Sequence, residues 1–230
     1  MWTFSRVKNW LRVLIDPELR ELRRVINKTL ATNQIFSKHD QIFIQRLHAT
    51  PMALKMIFWK KHFEWKVIKN YPEIHGNILD FGCGAGHSDI LLARQGYKVH
   101  GIDLSPVGIA IASYFKSKQN NSVRDLVSFE ITDVSMSLNN QLLFDSAWSS
   151  HVFEHIEDPV PVLKGLKNWL NPGAYMLISV PTGYAYDDPD HVNHFHNSED
   201  ITCFLEPHVK VVKIDISQEN QVIRALCKFT

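Results

Sequence analysis

No glycine precedes Gly76 in this chain of 230 residues. Left-handed turns are therefore scarce in its first third, and residues 1 to about 70 read as helices, with Pro17 after Asp16 and Pro51 after Thr50 marking two starts. Cysteine is nearly as sparse. Cys83, Cys203 and Cys227 form an odd set without framework spacing, which fits a reducing, cytoplasmic setting better than a disulfide scaffold. No apolar run approaches the roughly 20 residues that cross a bilayer, and charges interrupt the N-terminus before the apolar core of a cleavable signal could form. An excess of one charge is missing too: 25 Lys and Arg face 24 Asp and Glu, for a net +1, so no global field draws the chain to nucleic acid. Repeats and low-complexity segments are absent. What remains, 45% apolar, suffices for one substantial α/β core with a small appendage.

Where glycines do occur they are concentrated. Ile78-Leu79-Asp80-Phe81-Gly82-Cys83-Gly84-Ala85-Gly86 places three of them at alternate positions after an apolar β-type run, and a helical pattern follows from Ser88 to Ala93. This reads as strand, tight turn, helix. The glycines permit positive φ and let a ligand approach the main chain, and a helix start presents free N–H groups. Such a turn is shared by several nucleotide-binding folds. The acid two places before the first glycine narrows the choice, because phosphate avoids a carboxylate there and an ammonium group welcomes one. Cys83 reads as a small filler within the turn.

Two further strand ends carry the same residue. Tyr97 to Ile102 runs into Asp103, 17 residues after Gly86, a position that reaches ribose hydroxyls in a doubly wound sheet. Leu126 to Ile131 runs into Thr132-Asp133, where a carboxylate can accept from an adenine amino group. Any one of these aspartates also suits a helix cap or turn. Three in succession, with this turn, point to an adenosine ligand carrying an ammonium group.

Residues 76–180 resemble a class I S-adenosylmethionine (SAM)-dependent methyltransferase. The resemblance rests on residues 79–86, 101–105, 132–134, 144–159 and 170–173, taken in that order. The Glu-His-Ile-Glu-Asp-Pro stretch at 154–159 is similar to a branch that includes ubiquinone-pathway O-methyltransferases and many sugar and natural-product methyltransferases. The resemblance implies that Asp80, Phe81, Gly82, Cys83, Gly84 and Gly86 hold the methionine end of SAM. Asp103 would bind the ribose and Asp133 the adenine, with Val134 packing nearby; Leu104, Thr132, Ser149 and Ser150 complete the expected contacts. A NAD(P) dehydrogenase expects a different glycine spacing without the preceding acid.

The expected fold follows from alternation. Strands at 77–81, 97–102, 126–131, 143–149 and 174–180 alternate with helices, which implies a parallel sheet with right-handed crossovers. The β-rich runs 209–216 and 221–229 are too close for a crossover helix and must pair antiparallel. The resemblance makes this a seven-stranded Rossmann-like α/β sheet of order 3-2-1-4-5-7-6. Residues 1–72 would be a helical extension or cap, 73–230 the SAM-binding domain, and 181–205 a lid insertion lining the acceptor site, since this connection exceeds what a β/α loop needs.

Methyl transfer from a sulfonium asks for an in-line approach, and for a base where the acceptor is a hydroxyl. Histidine suits that task. His155 is the first candidate, with His151 one helical turn earlier and His191 and His194 in the lid. The alternative is that His155 packs the loop while binding alone orients the acceptor. Tyr184, Tyr186 and Phe195 suit stacking on a sugar or aromatic face. Asp187, Asp188, Asp190, His191 and His194 are suitable ligand types for a divalent metal, but their spacing matches no closed zinc pattern, and a solvated lid is the preferred reading. The stripe Trp2, Phe4, Val7, Trp10, Leu11, Leu14 leaves three readings open: peripheral membrane contact through residues 1–15, a homodimer contact, or packing on the chain's own core. The functional expectation is O-methylation of a small acceptor, a sugar or glycan precursor or a phenolic metabolite. A catalytically silent SAM-binding subunit is the alternative; an RNA methyltransferase is disfavoured by the neutral charge and by Ser149-Ser150-His151-Val152 where a base-methylating motif would stand.

Overall fold

The computed structural model describes residues 17–32, 64–135, 142–183, 191–206, 208–218 and 221–230. The stripe at 1–15, most of the expected cap helices, and Tyr184, Tyr186, Asp187, Asp188 and Asp190 lie outside the described residues. Seven strands run β1 (Asn77–Phe81), β2 (Lys98–Asp103), β3 (Val127–Ile131), β4 (Phe144–Ser150), β5 (Leu170–Pro181), β6 (Lys210–Ser217) and β7 (Val222–Lys228). The described helices are α1 (Pro17–Thr32), α2 (Glu64–Val67), α3 (His87–Ala93), α4 (Pro106–Ser117), α5 (Asn121–Arg124), α6 (Pro159–Trp169) and α7 (Ser198–Leu205), with 3-10 turns at Ile68–Asn70 and Phe153–His155.

The strands form one sheet in the order β3-β2-β1-β4-β5-β7-β6. The first five are parallel, and β7 is antiparallel to both β5 and β6, as the sequence expectation required. Both faces of the central strands are covered, so they read as continuous apolar runs. Alternate residues feed opposite layers: Leu79, Ala147, Met176 and Ile178 join Phe153, Leu163, Leu166, Ile201 and Leu205 on one side. Ile78, Trp148 and Leu177 pack with Ile68, Tyr71 and Leu92 on the other. Each such large side chain contributes about 1.5–3 kcal/mol. Leu22 and Ile26, one helical turn apart on α1, bury with Ile111, Tyr114 and Phe115 of α4, and Glu21 pairs with Lys118 at 2.8 Å. That places α1 in the outer helical layer.

One strand boundary differs from expectation by more than a residue. β5 begins at Leu170 rather than 174, because Leu170 pairs with Phe144 before a register shift in β4, and Asn171 Nδ2 donates to Asp145 Oδ1 at 3.0 Å across it. Asn-Pro-Gly, a turn signal on its own, is absorbed into the strand by its neighbour. The 181–205 segment is also not uniform. Its last eight residues form α7, capped by Asn197 and buried through Ile201 and Leu205.

Candidate active site

The turn after β1 is built as its glycines demand. Gly82 and Gly86 have φ of 80° and 68°, and a Cβ on Gly86 would lie 2.5 Å from Phe129 Cζ and 2.7 Å from Ala112 Cβ. Gly82 and Cys83 donate to Ile102 O at 2.9 and 3.0 Å, which ties the turn to β2. Asp103 completes the tie: Oδ2 accepts from Gly84 N and Oδ1 from Ser105 N, both at 2.8 Å. Each oxygen thus accepts a backbone N–H, and a carboxylate fixed in this way at a strand end can meet a ligand diol. Beside it Leu104 is 61% exposed, and Ile131 at the end of β3 is 50% exposed. Asp133 is exposed and accepts from Ser135 N and Oγ at 2.9 and 2.6 Å. Carboxylates beside uncovered apolar side chains at neighbouring strand ends fit a ribose with a flat heterocycle. Thr132 N donates to Asp103 O at 3.2 Å, so its backbone holds this corner together.

Other expected contacts sit deeper. Val134 is 1% exposed, its side chain in the core beneath the site. Ser149 is buried, and its Oγ donates to Phe81 O at 2.9 Å, stitching β4 to β1; Ser150 is half-buried at the strand end. Half-buried Cys83 lies under Gly101, where an added Cβ would be 2.8 Å from its Sγ. Burial, then the charges of Asp89, Asp103 and Asp80, push its thiol well above the usual range, so it is a neutral filler and no nucleophile.

Asp80 has an acidic partner that sequence reasoning missed. Asp89, in the first turn of α3, is fully buried, and Asp80 is 4% exposed. Burial first, then Asp89's charge and hydrogen bond, with Asp103 behind them, raise Asp80 well above the carboxylate range. Burial likewise pushes Asp89 up to about 7, a rise that its hydrogen bond with Asp80 partly offsets. Two buried carboxyls in contact cannot both ionise cheaply and hold a proton between them. A cationic group arriving at Asp80 relieves that repulsion, so the pair fits the ammonium end of the ligand. In the sequence Asp89 passes for an ordinary first-turn acid.

The histidines gather after β4 and β5. His151 takes a left-handed φ of 58°, a region that few residues other than glycine, asparagine, aspartate and histidine enter, while its N–H reaches Ser179 O at 2.9 Å. Its Nδ1 stands 3.4 Å from Oε1 of Glu154, which is fully buried in the Phe153–His155 turn. His155 and His191 meet edge to face with ring centroids 4.8 Å apart, and His191 and His194 lie 6.3 Å apart. The strand-to-lid junction is clamped: Val192 N and Asn193 N donate to Glu154 O at 2.9 and 3.0 Å, and Asn193 Nδ2 donates to Ile156 O at 2.7 Å. All four expected histidines therefore converge from two loops. Phe195 does not join them. It is 3% exposed, bridged to Thr182 and packed on Phe204 at 5.2 Å, so it anchors the loop and offers no stacking face to an acceptor.

Relatives place this arrangement. The chain is 35% identical over 103 residues to phosphoethanolamine N-methyltransferase 1 of Zea mays, covering 44% of this chain and 20% of that one. It is 23% identical over 151 residues to a ubiquinone biosynthesis O-methyltransferase of Acinetobacter baumannii, covering 58% and 63%. It thus spans a fifth and just under two thirds of these two curated relatives. Among solved structures, a SAM-dependent methyltransferase from Aquifex aeolicus superposes with a TM-score of 0.61 at 20% identity, over 78% of this chain and 98% of that one. A profile described as a methyltransferase domain matches residues 43–215, and with that match, the sheet order and the glycine turn in agreement, the chain belongs to the methyltransferase-domain family.

Proposed function

We propose that this protein is a SAM-dependent methyltransferase that methylates a hydroxyl of a small-molecule acceptor, a sugar or glycan precursor or a phenolic metabolite. One observation carries the reading: an adenosine-type corner at Asp103, Leu104 and Asp133 shares the carboxyl edge of the sheet with a carboxylate-backed histidine. That edge is where open α/β sheets bind ligands. SAM, when bound, supplies an electrophilic methyl on a sulfonium that leaves as a neutral thioether. The Asp80–Asp89 pair faces its ammonium group, and Asp103 takes its ribose diol. His151 accepts the acceptor's hydroxyl proton, while buried Glu154 orients the imidazole, the logic of a base held by a third group. His155, His191 and His194 wall the acceptor side. The relatives divide between N- and O-methyltransferases; the base-and-orienter pair favours a hydroxyl, which must shed its proton as the bond forms.

Residues 1–72 would form the helical extension and 73–230 the cofactor domain, with the acceptor lid narrowed to the stretch between Pro181 and the Asn193 clamp. No described helix is long and apolar enough to cross a membrane.

Calorimetry with SAM and S-adenosylhomocysteine tests the cofactor, and product thioether release over a panel of sugars and phenols tests the acceptor. Micromolar SAM binding weakened at least tenfold in Asp103→Ala, with turnover lost in His151→Ala at unchanged SAM affinity, is the expected result. Wild-type protein that ignores SAM overturns the reading. Protein that binds SAM yet leaves every acceptor untouched favours the silent-subunit alternative.

A further inference from the structure

We infer that Glu154, His155 and His191 form a binding site for a divalent cation of the zinc class. Each offers one ligand atom, and the three atoms lie within 4.8 Å of one another. The strongest sign is Glu154. Its carboxylate is fully buried, and neither oxygen makes a hydrogen bond among the described residues; its charge contact is His151 Nδ1 at 3.4 Å. Holding a buried carboxylate so lightly compensated is unfavourable, and a cation would remove that cost.

The scaffold is already set. Glu154 and His155 sit side by side in one 3-10 turn, and the clamp from Val192 and Asn193 onto Glu154 O fixes the neighbouring His191 against them. A tetrahedral site with bonds of about 2.1 Å spaces its ligands roughly 3.4 Å apart. Small side-chain rotations of the two imidazoles, whose rings already meet at 4.8 Å, close the remaining gap. Two imidazole nitrogens and one carboxylate suit Zn²⁺ and its neighbours rather than Mg²⁺ or Ca²⁺, which prefer all-oxygen shells. Three protein ligands leave a position open for water or an acceptor oxygen. Glu154 has lone pairs enough to bind the cation and face His151 together, giving His151 the place of an outer-shell partner. The set differs from the acidic lid residues 187–190: its ligands come from two strands' ends, 36 residues apart between His155 and His191.

The test uses chelator-treated full-length protein without a histidine tag, titrated with Co²⁺ and followed by visible absorption, then challenged with Zn²⁺ and Mg²⁺. One-to-one Co²⁺ binding with a low-coordination spectrum, displaced by Zn²⁺ and not by Mg²⁺, is expected. His155→Ala and His191→Ala should each weaken it at least tenfold, and His194→Ala should leave it unchanged. His191→Ala keeps the backbone clamp and so preserves the fold, which Glu154→Gln, altering a buried side chain, does not guarantee. Absence of stoichiometric Co²⁺ binding, or binding that survives in both histidine variants, overturns the proposal. SAM calorimetry on the same preparation distinguishes a missing cation site from a failure of cofactor binding.

Discussion

Asp89→Asn should stabilise this protein above neutral pH, the reverse of what polar substitutions in a core usually do. In the unfolded chain the Asp89 carboxyl titrates near 3.8, and in the native state near 7. Between those values the native state holds a proton that the unfolded state has released, so stability falls as pH rises through that window and stays lost above it. The rise from 3.8 to about 7 amounts to about 4 kcal/mol of lost stability above pH 7. About 3 kcal/mol of it is spread between pH 5 and 8. Asparagine keeps the shape, which matters because an added Cβ on Gly101 would lie only 2.7 Å from Asp89 Oδ1. Its amide can donate to Asp80 in place of the shared proton. Urea unfolding of wild type and variant at pH 5, 6.5 and 8 reads the slope directly. Asp80, raised first by its own burial, keeps a downward slope in both proteins; the wild type should lose about 3 kcal/mol more than the variant across the series, and the variant's melting temperature at pH 8 should be higher by roughly 5–10 °C. Equal pH slopes in the two proteins would refute the buried-pair argument, whatever their absolute stabilities.

Other expectations follow from single contacts. Gly86→Ala meets Phe129 and Ala112 in a left-handed backbone, and should cost about 2–4 kcal/mol by urea midpoint; a neutral change would mean the turn re-forms freely. Ser149→Ala loses the bond to Phe81 O and about 1 kcal/mol of stability with SAM affinity within a factor of a few. A tenfold affinity loss at unchanged stability would instead make Ser149 a direct ligand contact. Of the three thiols, exposed Cys203 should react rapidly with a disulfide reagent at pH 8. Half-buried Cys83, whose thiol is pushed well above the usual range, should react slowly, and buried Cys227, whose thiol burial pushes up to about 12, only on unfolding. Fast labelling in Cys203→Ser would contradict these raised thiols.

Much of this architecture was legible without coordinates because its signals are local. A strand covered on both faces must be apolar throughout, so β1, β2 and β4 announce themselves; a glycine turn between strand and helix does too, and a short connection between two β-runs permits no parallel pairing. The three aspartates could be placed because each ends such a strand. Side-chain partnerships across the sheet were not legible. Asp89 is unremarkable in its helix until the turn after β1 folds it against Asp80. Ser149 and Val134 sit next to site residues in sequence yet turn into the β1–β4 seam and the core. Phe195 has the composition of a stacking residue and the position of an anchor.

The sequence by itself determined the strands, their parallel or antiparallel sense and the glycine turn, since these depend on residue periodicity and on what a tight turn admits; the strand order followed from the family resemblance. Only the tertiary structure decided which histidine has a buried carboxylate behind it, and that His155 and His191 face each other. Those facts arise where loops distant in the chain meet at the edge of the sheet, and burial there is set by packing rather than by any residue's neighbours in sequence.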